Sequence, residues 1–214
     1  MLLNQRMIAD DGYEVMLFPM GDMYISQGEQ GSLSHYLAMD FLGWGSGDRI
    51  YTCPYYAPCS CHSVASFGGD TIVWQSDNPV HCADGVLRIV TFLFAHDNYL
   101  PSVGETRTQG QIIGYTGTAG QYVTGDHCHF NTAKGTYAGM EHVIDVQVDA
   151  YELKNSTHIY DICYVNDTVL SNDYGYPWLE YHGGVIPPTP PEPIDKKKHK
   201  FPWVLYARSL RGET

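Results

Sequence analysis

Thr124-Gly125-Asp126-His127-Cys128-His129-Phe130 sets two histidines two residues apart, in a run that reads as a strand entered from a glycine turn. Successive strand side chains point to opposite faces, so His127 and His129 share one face while Cys128 points away. Two imidazoles placed in this way can address one metal ion together, or one can bind it while the other works on a substrate. A hydrogen-bonded pair on a half-buried strand fits the same spacing. The rest of the chain has to decide between these.

Just upstream, Gly110-Gln111-Ile112-Ile113-Gly114-Tyr115-Thr116-Gly117-Thr118-Ala119-Gly120 reads as a short strand between glycines. These glycines do not cradle phosphate, because no helix follows them and neither a Lys-Ser/Thr pair nor a βαβ unit is present. Residues 71–75 and 86–95 are strand candidates by their β-branched and aromatic content. In the second, Arg88, Val90, Phe92, Phe94 and His96 alternate with Leu87, Ile89, Thr91, Leu93 and Ala95. That pattern buries both faces near its end and delivers His96 at the exit, ahead of an Asp97-Asn98 turn. Residues 34–41, Ser-His-Tyr-Leu-Ala-Met-Asp-Phe, form an apolar segment that carries His35 and Asp40. A carboxylate among such neighbours needs hydrogen bonds or a cation. One or two opening strands are expected over 12–25, a glycine-rich loop over 43–50 and a proline-broken strand region over 50–65. Further strands are expected over 143–148 and 159–165.

The composition agrees with a mainly β domain: of 214 residues, 22 are glycine and 17 tyrosine. Residues 1–195 hold 6 Lys/Arg against 23 Asp/Glu, a balance of −17, while 196–214 hold 6 against 1, a balance of +5. So acidic a body excludes nucleic acid as its main partner, since phosphate binding relies on Lys and Arg. No stretch approaches the ~20 apolar residues of a membrane span. Residues 1–11 lack the apolar core of a secretory signal, so synthesis in a cytoplasm is expected, with another route out if the protein acts outside. Six cysteines are too sparse for a disulfide framework in a chain of this length. Cys53, Cys59, Cys61 and His62 leave a zinc site open, but their spacing is not that of a ribbon or finger, which favours buried free thiols. Residues 184–200 are expected to be a Pro-rich and Lys-rich linker, and 201–214 a basic aromatic tail. Such a tail suits docking on a partner protein, an anionic wall polymer or a membrane surface, or is simply solvated.

The chemistry-bearing residues are therefore His35, Asp40, His96, His127 and His129. Catalytic zinc uses three protein ligands from His, Asp or Glu and keeps one position open. The His-Glu-x-x-His helix is absent, so a glutamate base on a helix is not the mechanism.

In four ordered blocks the chain resembles the lysostaphin/LytM-type zinc endopeptidases that cut peptidoglycan, peptidase family M23. The blocks are Ser34-His35 to Asp40-Phe41, Tyr56-Ala57-Pro58, Phe94-Ala95-His96, and Gly110 to Phe130 ending in His127-Cys128-His129-Phe130. They cover residues 12–150, within an expected catalytic domain of 1–183, and the last is the specific one. The resemblance implies antiparallel sheets with long loops around a groove-shaped metal site. It implies Zn2+ on His35, Asp40 and His129, with His96 and His127 as catalytic groups flanking the attacking water and the substrate carbonyl. Both His127 and His129 as ligands remains a geometric rival. Two departures matter. Four residues separate His35 from Asp40 instead of three, which on a regular strand would turn them to opposite faces. The site therefore needs a bulge or a loop between them. Cys128 stands in place of a leucine and is expected to pack in the core. The features outside the motifs look most like phage-encoded members, a tail-tip enzyme or a lysin. Peptidoglycan and other virion tail proteins are then the implied partners. An inactive copy of the fold, serving as a structural or wall-binding virion component, is the alternative.

Overall fold

The computed structural model describes residues 3–20, 22–29, 35–45, 47–120, 123–143, 150–164 and 179–182. Its strands are β1 (Asp22–Gln27), β2 (Ala38–Gly45), β3 (Asp48–Ile50), β4 (Pro54–Tyr56), β5 (Cys61–Phe67), β6 (Thr71–Ser76), β7 (Val80–His81) and β8 (Leu87–Arg88). There follow β9 (Val90–Ala95), β10 (Thr106–Arg107), β11 (Ile112–Tyr115), β12 (Cys128–Lys134), β13 (Met140–Val143), β14 (Ala150–Leu153), β15 (Ser156–Thr157) and β16 (Leu179–His182). One short helix, α1 (Ile159–Ile162), lies between β15 and β16. The linker and tail expected from residue 184 onward lie outside the described residues, as do 144–149 and 165–178.

The Phe-rich run of β9 is buried along its whole length, so it needs a neighbour on each side and a layer on each face. It pairs antiparallel with β6 and β12, at the centre of a sheet ordered β10-β5-β6-β9-β12-β2-β1-β16. Strand β3 pairs with β2 and β15 with β12, and the strand pairings among the described residues are antiparallel. The expected mainly β, antiparallel architecture is thus observed. On one face, Phe94 stacks on Phe130 at 4.9 Å between ring centroids, and Phe18 meets Phe41 and Phe130 edge-on. Each fully buried Phe contributes ~1.5–3 kcal/mol to burial. Val73, Leu93, Ala133 and Leu153 form a smaller apolar layer on the other face.

Two segments depart from expectation, and a third holds one of the one or two strands expected of it. Residues 43–50 are not a loop: β2 runs to Gly45, and its last three residues pair antiparallel with β3. Gly43 is there for close approach, since a Cβ would lie 2.2 Å from that of Cys53. Within 12–25, only β1 is a strand. The amides of Val15, Met16, Leu17 and Phe18 bond in turn to Met7, His81, Pro58 and Tyr164, so no single partner strand exists for them. Ile159–Ile162 is a helical turn rather than a strand. Ile159 and Ile162, three apart, are both buried, and the Glu29 carboxylate accepts from the Ile159 amide at its start.

Candidate metal centre

The site is built from the ends of β2, β12 and β9. In the β2–β12 ladder His129 lies directly opposite Asp40, and across β12 it lies opposite Ala95, the last residue of β9. Directly opposed residues of an antiparallel pair put their side chains on one face. Asp40 and His129 thereby share the face opposite to Phe41, Cys128 and Phe130. Cys128 is fully buried in the aromatic core, as its alternation required.

His35 precedes β2, and the chain bends at Tyr36 and Leu37 before the strand begins. That bend is the irregularity the spacing called for, and it folds His35 back over Asp40. His129 Nδ1 lies 3.0 Å from His35 Nε2 and 3.1 Å from Asp40 Oδ1, and His35 Nε2 lies 3.3 Å from Asp40 Oδ1. Among the described residues this is the one group of three His, Cys, Asp or Glu side chains close enough to share an ion. Ligand atoms on a tetrahedral zinc with bonds of ~2.0–2.1 Å stand about 3.3 Å apart. The triangle of two imidazole nitrogens and a carboxylate oxygen therefore fits zinc both in donor chemistry and in size.

His96 and His127 stand beside this triangle. His96 leaves β9 with a φ of 77°, unusual for a residue with a side chain, and its amide bonds to the Asp70 carbonyl at 2.8 Å. Its Nδ1 donates to Ala119 O at 2.9 Å, which leaves the Nε2 lone pair free for chemistry. The Asp70 carboxylate is 3.5 Å from the same Nδ1. Gly120, at φ +99°, makes room for that carboxylate, because a Cβ would fall 2.1 Å from Asp70 Oδ2. His127 is held the same way: its backbone exchanges two 3.0 Å hydrogen bonds with Gly117, and its Nδ1 donates to Gly125 O at 2.7 Å. Its Nε2 then faces Asp40 Oδ2 at 3.5 Å. The His96 and His127 rings are 4.5 Å apart between centroids. His127 Nε2 lies outside the close triangle, so the geometry favours His35, Asp40 and His129 over the rival ligand set.

The electrostatics suit a cation. Burial pushes His35 down to about 3, against the pull of Asp40, so its imidazole is neutral and could offer a lone pair to an ion. Burial also pushes His96 down to about 4, helped by His129 and His127. For Asp40, burial alone would raise the carboxyl, but His35, His129 and His127 outweigh it and hold it well below the usual carboxylate range. His129 is raised: burial lowers it, and the hydrogen bond and charge of Asp40 more than reverse that.

All five residues singled out in the sequence thus come together. The Cys53, Cys59, Cys61 and His62 alternative does not assemble. The three cysteines are buried and form no disulfide with one another, and His62 pairs instead with Asp77 at 2.7 Å. Sequence reasoning missed Asp70, whose only local signal is its place after the Gly68-Gly69 turn. It also gave no role to Asp126, which accepts from Thr116 Oγ1 at 2.6 Å and from the Thr52 amide at 3.0 Å. Those bonds hold the loop that presents His127.

No protein-family model matches the chain. Among curated proteins it is similar to Morphogenesis protein 1 of Bacillus phage B103, 39% identical over 174 residues. That match covers 78% of this chain and 44% of the relative, so the chain spans less than half of that protein's length. Among solved structures it is similar to the catalytic domain of lysostaphin from Staphylococcus simulans, at 24% identity and a TM-score of 0.36, covering 54% of this chain and 80% of that one. A zinc-containing peptidase from Vibrio cholerae is 17% identical with a TM-score of 0.42, covering 60% of this chain and 43% of that one. Pseudoalterin, an M23 metalloprotease from the deep sea, is 18% identical with a TM-score of 0.40, covering 56% and 70%. Those scores, all below 0.5, leave the chemistry to be argued from the side chains themselves.

Proposed function

We propose that the chain is a zinc-dependent endopeptidase that hydrolyses amide bonds in peptidoglycan stem peptides or cross-bridges, and that it works as part of a phage virion. The observation that carries this reading is the convergence of His35 Nε2, Asp40 Oδ1 and His129 Nδ1 within 3.0–3.3 Å, with two further imidazoles alongside. His35, Asp40 and His129 would hold the ion. Zinc bound there supplies Lewis-acid chemistry, polarising a carbonyl and making water acidic enough to ionise near pH 7. His96 and His127 handle the protons. Each has its Nδ1 proton committed to a backbone carbonyl, so each presents an Nε2 lone pair to the same space. Between them they take the proton of the attacking water, hydrogen-bond the oxyanion of the substrate and protonate the leaving amine.

The wall substrate is supported by the motif resemblance, and the virion setting by the description of the phage relative as a morphogenesis protein. Among the described residues no helix is long and apolar enough to cross a membrane. An acidic body has no long-range attraction to an anionic wall, so delivery by the virion, with the basic tail docking on other tail proteins, is consistent with the charge distribution.

Purified protein is expected to carry one zinc per chain and to cleave a defined muropeptide, with the new amino terminus identified by mass. Chelation should abolish cleavage and zinc restore it. Stoichiometric zinc with no cleavage of any wall chemistry would instead favour the structural virion role.

A further inference from the structure

Four residues separate His35 from Asp40, a step that strand alternation would resolve by putting the two on opposite faces. They meet because of the bend at Tyr36 and Leu37, and a bend takes its amides out of the ladder. Amides that leave a ladder need other acceptors. Both are supplied by one side chain from a distant strand. Glu152 on β14 accepts from the Tyr36 amide at 2.8 Å and from the Leu37 amide at 2.9 Å through Oε1, and at 3.1 Å through Oε2. Asn131, two residues beyond His129 in β12, completes the cradle. Its Nδ2 donates to Leu37 O at 2.9 Å, and its Oδ1 accepts from the Leu153 amide at 2.9 Å, tying β14 to the strand that carries His129. Glu152 is only 3% exposed, so a carboxylate has been taken out of water to grip two backbone amides.

We propose that Glu152 is a positioning residue of the metal centre: its grip on the Tyr36 and Leu37 amides is what brings His35 Nε2 to Asp40 and His129. The inference rests on the metal-site reading above. Residues that orient metal ligands without touching the ion commonly govern its affinity by about 10- to 100-fold.

The test is a zinc titration of the full 214-residue chain against a chromophoric chelator, with folding followed by circular dichroism. Glu152→Ala is expected to bind zinc about 10- to 100-fold more weakly. Glu152→Gln, whose carbonyl oxygen can still accept from both amides, is expected to stay close to the wild type. Val73→Ala, which removes packing from the same apolar layer away from the cradle, should lower the melting temperature and leave zinc affinity unchanged. If the alanine variant does not fold, Glu152→Asp, with the carboxylate withdrawn by one methylene, carries the same expected loss. Wild-type affinity in the Ala or Asp variant overturns the proposal. So does an equal loss in Val73→Ala, which would mean that affinity merely follows stability. Failure of the unmutated chain to take up zinc overturns the metal-site reading together with this one, and is seen before any variant is made.

Discussion

Among the described residues Asp40 and Glu29 are buried carboxylates that meet histidine, and the fold drives them in opposite directions. Asp40 sits among His35, His129 and His127 and is held well below the ordinary carboxylate range, because those imidazoles outweigh its burial. Glu29 meets one imidazole, His158 Nδ1 at 2.5 Å, and one amide, that of Ile159 at 2.7 Å. There burial wins, and the carboxyl is pushed up to about 7. The difference shows that burying an acid beside a histidine does not by itself make a cation site. Several lone-pair donors must converge on one point, as they do around Asp40, where three strand ends and a bend come together. At Glu29 the geometry is that of a clasp on the start of α1.

The comparison can be broken most severely at His96 and His127, the proposed acid–base pair. His127→Ala and His96→Ala are each expected to lower kcat by about 10²–10⁴ while leaving bound zinc in place, as read by muropeptide cleavage and metal analysis. Loss of zinc in both would mean that the five residues form one indivisible cluster. Beneath the site, Phe130→Ala removes the ring stacked on Phe94 and should cost about 3–5 kcal/mol in denaturant unfolding, without a direct effect on the ligand triangle. At the Glu29 clasp the effect depends on pH. A carboxyl near 4.5 when unfolded and about 7 when folded binds its proton more tightly in the fold. Its stabilising contribution is therefore complete below about 4.5 and lost as pH rises through about 7. Glu29→Gln, which imitates the protonated acid, should gain up to ~3 kcal/mol over the wild type above neutrality and nothing at acid pH. The smallest effect is expected at Cys128→Ala, about 1 kcal/mol, as a buried thiol gives way to a small void.

Much of the site was legible because it is written in local pattern. The two-residue step from His127 to His129, the aromatic run that ends at His96, and the Asp set among apolar residues each state which face a side chain takes. The four-residue gap before Asp40 even announced that the chain must break its strand there. The misreadings came where a segment's partners are remote. Residues 15–18 carry strand-like side chains, but their amides bond to four separate parts of the chain. Ile159–Ile162 is rich in β-branched residues, yet Glu29, 130 positions away, accepts from its first amide. Neither Asp70, 3.5 Å from His96 Nδ1, nor Glu152, bonded to the two amides that follow His35, bears any local mark of that neighbour.

The sequence by itself determined the strand periodicity, the side of β12 that carries chemistry and the five side chains available for it, because alternation and polarity are properties of neighbours along the chain. Only the tertiary structure decided that Asp40 faces His129 across a ladder, that a bend delivers His35, and that backbone carbonyls turn the lone pairs of His96 and His127 inward. Register and hydrogen-bond direction depend on which distant strands pair, and that is set by the packing of the whole sheet.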